Sequence, residues 1–469
     1  MSGTDDELCD MSAAEAASRI RRKTLSPVEL VRAILRRIER VNPALNAYCT
    51  VAAESAIAAA EEAERAVIRG EPLGPLHGVP VSIKDLIPTK GIRTTFGSKL
   101  CENLIPQEDA PVVERLKAAG AIILGKTNTP EFGHKAVTDN VLFGASRNPW
   151  DLDYTPGGSS GGAAAAVIAG LGPVAVGTDS GGSIRIPSSC CGTFGFKPTL
   201  GRVAQAPAFG GLETTNHIGP ITRTVRDAAL VLDAIVGPDP RDIGSLPNDG
   251  GRYLNAVEVP VTGLRIAWSA DLGYAPVDRE VREVTTHAIR AFDAMHHHLE
   301  EAHPGFASPE KAFLTVASVN AAARFAEVEN LGDLDPSFAR WVEAGKRYRA
   351  VEFVKAANER RVVGDALSRL FARFDLLVTP TLAAPPLRIG LDTYERIDGQ
   401  EVTFLGWQAF TFPLSFAGCP AATVPCGFTK TGLPIGLQIA GPRLSDHLVV
   451  RVAAMFESLV PFPTRPRAI

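Results

Sequence analysis

The sequence predicts an α/β protein built around a layered sheet. Between residues 73 and 202, short apolar runs alternate with turns rich in glycine and proline, and helical patterns lie between them. The runs Gly78 to Ile83 and Ala121 to Leu124 have the length of buried strands, whereas Pro111 to Ala119 has apolar residues at helical spacing. Because strands interleaved with helices pack as layers, these two observations together favour the α/β class.

The elements follow in four stretches of chain. Residues 1–70 are predicted to form a helical layer, in which Ser26 and Pro27 have the character of an N-cap and a first-turn residue. Residues 71–235 hold the strands and turns described above. Residues 240–345 contain two helical stretches, the first from Asp278 to Glu301, and are expected to be peripheral. In residues 346–469 a helix from residue 351 precedes the apolar run 376–380, and a helix over 445–459 closes the chain.

Composition excludes several classes of function. Lys and Arg number 48 against 52 Asp and Glu, a net charge of −4, so charge alone recruits neither nucleic acid nor an anionic membrane. Seven cysteines include one adjacent pair, Cys190 and Cys191, and no CxxC motif, which favours a reducing compartment. The stretch Gly161 to Thr178 is low in charge but is interrupted by glycines and Pro173, so it is a poor membrane helix. We expect a cytoplasmic protein that binds neither membranes nor nucleic acid.

Two matches to familiar motifs are poor in context. Residues 120–127 fit the phosphate-loop pattern GxxxxGK[ST], but the four intervening residues are apolar and favour a strand. Residues 157–161 fit the GxSxG nucleophile elbow, in which Ser159 would be the nucleophile, but loop residues precede them where a strand is needed. The three histidines at 296–298 point apart on a helix, so we assign no metal site.

Three other segments together predict nucleophilic catalysis. Lys84 ends an apolar strand, Ser159 lies in a glycine-rich segment that opens an alanine-rich helix, and Ser183 follows a strand and a pair of glycines. Burial disfavours the ammonium form of lysine, and a neutral lysine can activate a serine hydroxyl. Glycines before a nucleophile let successive N–H groups converge on a developing oxyanion. This chemistry requires no histidine, metal or cofactor.

These segments resemble those of the amidase signature family. The resemblance also includes residues 76–80, 125–128, 192–202, 219–223 and 432–438, so it covers nearly the whole chain except about 240–345. It implies a central mixed sheet covered by helices on both faces. It also implies one domain over residues 1–469, because motifs from 76 to 438 must converge.

The resemblance implies a role for each site residue. Ser159 lies 75 residues after Lys84, and Ser183 lies 24 residues after Ser159, as is usual in the family. Ser183 resembles the nucleophile, Ser159 the bridging serine whose preceding peptide bond is cis, and Lys84 the general base. Asp179 and Arg185 resemble a supporting charged pair. The oxyanion hole is expected from the backbone N–H groups of Ser180, Gly181, Gly182 and Ser183.

The implied activity is hydrolysis of a small-molecule amide, anilide or carbamate (urethane) through an acyl-enzyme. A glutaminase-type subunit of a tRNA-dependent amidotransferase is the alternative, although residues 338–361 lack the arginine- and glycine-rich stretch typical of those subunits. A catalytically silent binding protein is disfavoured because no triad position is lost, and a homodimer stays open. Substrate contacts are expected in residues 132–143, 206–212 and 404–416, of which the last is rich in aromatic residues.

Overall fold

The centre of the molecule is a mixed sheet. The computed structural model describes residues 5–206, 215–328, 330–463 and 465–466, and within these residues the sheet has eleven strands. The eleven are β1 Tyr48–Val51, β2 Pro80–Lys84, β3 Ile122–Thr127, β4 Val174–Asp179, β5 Phe194–Lys197, β6 His217–Thr222, β7 Arg265–Trp268, β8 His298–Glu301, β9 Leu376–Pro380, β12 Ala421–Phe428 and β13 Pro434–Ala440. The short strands β10 Arg396–Ile397 and β11 Gln400–Glu401 pair separately.

The strand order is β1-β3-β2-β4-β6-β5-β12-β13-β9-β7-β8. Strand β2 runs parallel to β3 and β4, and β7 runs parallel to β8 and β9, whereas the other neighbours are antiparallel. The sheet is therefore mixed, and helices flank it, which confirms the predicted fold class. Its strands are drawn from residues 48 to 440; the finer division of the chain at residues 70, 235 and 345 stays a prediction.

The helices fill the connections between strands. Those in the described chain are α1 Asp5–Asp10, α2 Ala13–Arg21, α3 Pro27–Leu45, α4 Ala53–Arg69, α5 Pro111–Ala118, α6 Gly161–Ile168, α7 Arg185–Cys191, α8 Val225–Ile235, α9 Tyr253–Ala256, α10 Arg279–Ala288, α11 Arg290–Ala294, α12 Glu310–Arg324, α13 Pro336–Lys346, α14 Ala350–Phe371, α15 Phe412–Ala417 and α16 Asp446–Leu459. The hydroxyl of Ser26 accepts hydrogen bonds from the N–H groups of Val28 and Glu29, so the predicted cap of α3 is confirmed. Among the described helices, none combines the length and apolar character needed to cross a bilayer.

The inner strands are enclosed by other elements. Every residue of β2, β3, β4 and β6 is buried. Helix α6 is buried on all sides because its glycines and alanines let the sheet and neighbouring helices approach closely. Strands covered on both faces read as continuous apolar runs, which is why the sequence pattern located β2, β3 and β4.

Residues 240–345 differ from expectation in two ways. The helical stretch predicted over Asp278 to Glu301 ends at Ala294, and His298–Glu301 instead forms strand β8, which pairs in parallel with β7. This region therefore extends the sheet. In addition, Phe325, Phe338 and neighbouring apolar residues pack around Phe132, so α12 and α13 contact the segment that holds Phe132.

Candidate active site

The predicted site residues meet at the carboxyl ends of β2 and β4. These strands are parallel neighbours with Ile83 opposite Val176, so Lys84 and Thr178 emerge at the same edge of the sheet. Lys84 is fully buried. Its Nζ lies 2.6 Å from Ser159 Oγ and donates to Thr178 Oγ1 at 2.9 Å. The first two members of the predicted triad are thus in direct hydrogen-bond contact.

The charge state of Lys84 follows from its surroundings. Burial lowers the pKa of Lys84 well below its ordinary value, and Asp179 raises it only in part. The carboxylate of Asp179 is occupied by Arg185 and does not form an ion pair with Lys84. A neutral amine keeps a lone pair, so Nζ can accept a proton from the Ser159 hydroxyl.

Ser159 is held by a narrow turn that begins α6. The peptide bond between Gly158 and Ser159 is cis, as the resemblance implied. A Cβ on Gly158 would lie 2.7 Å from the carbonyl of Val137, so only glycine fits beside this backbone. Ser159 itself is almost completely buried, and its hydroxyl lies between Lys84 and a cavity.

Ser183 lies in the loop between β4 and α7, residues 180–184, which we call the Ser183 loop. The N–H of Ser160 donates to the carbonyl of Ser183 at 3.1 Å and ties this loop to the Ser159 turn. Ser183 is half-buried and lines the same cavity as Ser159. The structure therefore places Ser159 and Ser183 on one cavity, with Lys84 in contact with Ser159.

Asp179 and Arg185 form a fully buried ion pair beneath the Ser183 loop. Arg185 Nε donates to Asp179 Oδ2 at 3.0 Å and Nη2 donates to Oδ1 at 2.9 Å. Burial alone would raise the pKa of Asp179, but Arg185 reverses this effect and holds the pKa below its ordinary value. The carboxylate also accepts from the N–H groups of Gly182 at 2.8 Å and Ile184 at 3.1 Å.

The predicted oxyanion donors are not equivalent in the structure. Gly182 is buried and its N–H already donates to Asp179, whereas Ser180, Gly181 and Ser183 are partly exposed and line the cavity. The sequence offers no signal for this difference, because it depends on which way each peptide plane is turned. The donor expected from Gly182 is therefore engaged elsewhere.

A cavity of about 220 Å³ opens above the two serines. Among its described lining residues none is acidic, and the charged side chains are Lys135 and Arg324, the latter stacked 5.0 Å from the Phe132 ring centroid. Burial lowers the pKa of His134 to about 4, so this ring is neutral at pH 7. The apolar and aromatic side chains of the wall are Leu86, Ile87, Pro88, Ala110, Phe132, Ala136, Ala206, Ile218, Phe313, Ala317, Ala321, Phe325, Phe338, Trp341 and Leu405.

The predicted lining segments contribute only in part. Residues 132–136 line the cavity, as do Ala206, Leu405 and Gln408, whereas residues 207–212 lie outside the described part of the chain. Trp407 is buried away from the cavity, with its Nε1 donating to the carbonyl of Ala384.

Helices α12 and α13 form a wall that the sequence analysis did not assign to the site. The α12 residues Phe313, Ala317, Asn320, Ala321 and Arg324 recur at helical spacing on one face. This spacing is the sequence signal that could have found the wall. The spacing alone does not identify a cavity wall, because the same pattern is typical of a helix packed against a core.

Comparison with known proteins extends over the whole chain. A family model described as Amidase matches residues 29–450. An acylamidase of Rhodococcus erythropolis is 40% identical over 99% of this chain and 98% of its own length. A glutamyl-tRNA(Gln) amidotransferase subunit of Carboxydothermus hydrogenoformans is 36% identical over 98% of this chain and 100% of its own.

The fold agrees with these sequence relatives. The crystal structure of a bacterial aryl acylamidase of the amidase signature family superposes with a TM-score of 0.91 at 34% identity, and the match covers 96% of each chain. The family match, the full-length relatives and the shared fold coincide. The chain therefore belongs to the amidase signature family and is an amide-hydrolysing enzyme.

Proposed function

We propose that this enzyme is a serine amidohydrolase that cleaves C–N acyl bonds through an acyl-enzyme, with Lys84, Ser159 and Ser183 as its catalytic triad. The observation that carries the proposal is the 2.6 Å contact between Lys84 Nζ and Ser159 Oγ, buried beneath the cavity that Ser183 also lines. A lysine without a carboxylate partner and in contact with a serine hydroxyl is suited to act as a base.

Acylation begins when Ser183 Oγ attacks the substrate carbonyl carbon. The Ser183 proton passes to Ser159 as the Ser159 proton passes to neutral Lys84, and the carbonyl π pair moves onto oxygen. The tetrahedral oxyanion then collapses, the C–N bond breaks, and the relay returns one proton to the departing amine. The products are a free amine and an ester of Ser183, and Lys84 is neutral again.

Deacylation uses the same relay, first as a base toward water and then as an acid toward Ser183. Water attacks the ester carbon while Ser159 and Lys84 accept its proton, and the second tetrahedral oxyanion forms. When the C–O bond to Ser183 breaks, the proton returns to Ser183 Oγ. The acid product leaves and the enzyme is restored.

The oxyanion of both steps would be stabilised by backbone donors of the Ser183 loop. We assign the N–H groups of Gly181 and Ser183, with Ser180 beside them, because these residues face the cavity and the N–H of Gly182 is engaged by Asp179. Fixed donors of this kind act without reorganising at the moment of reaction. Asp179 and Arg185 would serve by holding the loop.

The cavity favours a hydrophobic substrate. Aromatic and aliphatic side chains make up most of the described wall, and such a surface suits an aryl or alkyl group on either side of the scissile bond. The acylamidase relative at 40% identity supports an amide or anilide. A carbamate presents the same carbonyl and leaving nitrogen and belongs to the same proposal.

The alternative is a glutaminase-type amidotransferase subunit, which the relative at 36% identity supports. Glutamine carries an α-ammonium group, which needs an anionic or strongly accepting partner. None of the described lining residues is acidic, so the cavity is less suited to glutamine than to a neutral amide. Copurification with a partner protein and strict dependence on glutamine would favour the alternative.

The position of the covalent adduct tests the triad. We expect a fluorophosphonate to form an adduct on Ser183 of the wild-type enzyme, Ser183→Ala to abolish it, and the neighbouring variant Ser160→Ala to retain it. Peptide mass mapping provides the measurement. An adduct on Ser159 would instead identify a nucleophile elbow and contradict the assignment.

A substrate panel tests the reaction class. Chromogenic anilides, aryl carbamates, short aliphatic amides and glutamine are compared by kcat/KM, with Ser183→Ala as the control for each. We expect hydrolysis of hydrophobic anilides or carbamates to exceed that of glutamine by at least about tenfold, since apolar contacts discriminate by that order. Turnover of glutamine alone would contradict the proposed substrate class.

A further inference from the structure

Helix α15 touches the Ser183 loop from the far end of the chain. Thr411 is the N-cap residue of this helix, but its side chain does not cap the helix. Instead, Thr411 Oγ1 donates to the carbonyl of Gly181 at 2.7 Å, across 230 residues of sequence, and lies 3.1 Å from the carbonyl of Gln408. Threonine at an N-cap ordinarily accepts from its own helix, so this orientation serves another element.

The peptide unit between Gly181 and Gly182 is consequently held at both ends. Its carbonyl accepts from Thr411, and its N–H donates to Asp179 Oδ1 at 2.8 Å. Because a peptide unit is planar, fixing both polar atoms fixes the whole plane. The N–H groups of Gly181 and Ser183 belong to the neighbouring peptide units, so their directions depend on how this plane is held.

Packing reinforces this contact. Thr411 is fully buried, and a Cβ on Gly182 would lie only 2.3 Å from Thr411 Oγ1, so the threonine is seated directly on the glycine. Gly182 has φ of +135°, a conformation that side chains rarely adopt. One turn further along α15, Ser415 Oγ donates to Asp179 Oδ1 at 2.9 Å. Helix α15 therefore presents two hydroxyls, spaced i and i+4, to the same loop.

We propose that Thr411 is a positioning residue that orients the oxyanion-stabilising N–H groups of Gly181 and Ser183. The inference rests on the proposed function, since it concerns the oxyanion formed when Ser183 attacks. Thr411 does not touch the reacting atoms. It acts through the Gly181 carbonyl, and nothing in the local sequence around Ser183 indicates it.

The expected signature is a loss of transition-state stabilisation with substrate binding preserved. Removing one oxyanion donor elsewhere lowers kcat by 10² to 10³. A donor that is turned rather than removed should have a smaller effect, about 10- to 100-fold on kcat. KM reports contacts with the apolar wall and should change by less than about threefold.

Matched variants test the proposal. Thr411→Val removes the hydroxyl at nearly constant shape, and Thr411→Ser keeps the hydroxyl and removes the methyl group. We expect Thr411→Val to lower kcat by about 10- to 100-fold. The kcat of Thr411→Ser should stay within about fivefold of the wild-type value. Should Thr411→Val fail to fold, as judged by its thermal transition, Thr411→Ala makes the same test without β-branching.

A second readout separates oxyanion stabilisation from general damage. A trifluoromethyl ketone analogue of the best substrate forms a tetrahedral oxyanion with Ser183, whereas the corresponding alcohol binds without forming one. Thr411→Val should lower the affinity for the ketone by about the same factor as it lowers kcat. It should leave the affinity for the alcohol unchanged. Equal weakening of both ligands, or an unchanged kcat, would overturn the proposal.

Ser183→Ala distinguishes a failure of the proposed function from a failure of the role assigned to Thr411. If Ser183→Ala retains activity, the proposed function itself fails. If Ser183→Ala is inactive while Thr411→Val matches the wild type, only the role of Thr411 is overturned.

Discussion

Two lysines on adjacent strands illustrate how local surroundings decide the use of a side chain. Lys84 on β2 and Lys126 on β3 are both fully buried. Lys126 Nζ donates to the carbonyl of Ile87 and to Thr89 Oγ1. Burial lowers the pKa of Lys126 to about 8, and the charge of Asp85 limits this decrease. Lys84 instead contacts a serine beside the cavity. Lys126 is the lysine of the phosphate-loop match, and it lies within a buried strand, as its apolar neighbours indicated.

The pH dependence of activity follows from the lowered pKa of Lys84. Only the neutral amine can accept the Ser159 proton, so kcat/KM should fall on the acid side as Lys84 becomes protonated. It should level off by about pH 9.5, where an ordinary lysine would still be mostly protonated, because the lowered pKa leaves the amine of Lys84 neutral there. The measurement is a pH–rate profile with a chromogenic amide.

The variant Lys84→Arg is the control for this profile. A guanidinium stays protonated throughout this range, so Lys84→Arg should be inactive at every pH. A wild-type profile that keeps rising through pH 9.5 would show an ordinary lysine pKa and contradict the role of Lys84.

At the scale of elements, helix α12 forms one side of the cavity. Its residues Ala317 and Ala321 are small, and Phe313 is packed so close to the Ser183 loop that a Cβ on Gly181 would lie 3.0 Å from its ring. Helix α12 therefore lines the cavity and also contacts the Ser183 loop. We infer that substrate size is set largely by this helix.

Enlarging one alanine of α12 should narrow substrate choice. Ala317→Leu fills part of the cavity, so kcat/KM for bulky aryl amides should fall at least about tenfold more than for acetamide. Ala323→Leu adds the same side chain on the exposed face of the helix. It should leave the ratio of kcat/KM for bulky aryl amides to kcat/KM for acetamide unchanged. Equal effects of the two variants on the ratio of kcat/KM values would contradict this role.

At the scale of the whole molecule, the fold buries several lysines that the unfolded chain would protonate. Lys84, Lys126 and Lys197 are fully buried, and burial lowers the pKa of Lys126 to about 8 and that of Lys197 to about 7. In the unfolded chain each returns to about 10.4. Between these values the unfolded state binds more protons, so raising the pH favours the folded state.

Stability should therefore rise between pH 7 and pH 9. Above its folded-state pKa, each such lysine contributes on the order of 1 kcal/mol per pH unit to the free energy of unfolding. Above about pH 9 the trend should reverse, because burial raises the pKa of thiols such as that of Cys190, and the unfolded chain loses those protons first. Urea unfolding at pH 7, 8 and 9 gives the measurement.

The variant Lys197→Met provides the comparison for stability. Methionine has a similar shape to lysine but does not titrate, so the increase in stability from pH 7 to pH 9 should become smaller. A slope identical to that of the wild type would show that Lys197 keeps its proton in the folded protein.

The sequence alone determined the α/β class, the buried strands β2, β3 and β4 and the three segments that carry Lys84, Ser159 and Ser183. These features are local: buried strands need continuous apolar runs, and close backbone turns need glycine at fixed positions. The cap at Ser26 and the final helix, Asp446–Leu459, were predictable for the same reason.

Tertiary structure decided how these segments are used. The contact between Lys84 and Ser159, the engagement of the Gly182 N–H by Asp179 and the hydroxyl of Thr411 on Gly181 join residues through folding, and two of the three link distant parts of the chain. The wall from α12 likewise depends on packing, because an apolar helix face has the same pattern whether it meets a core or a cavity. Local residue patterns specify elements, whereas the direction of a peptide plane and the neighbour of a helix are set only when distant elements pack together.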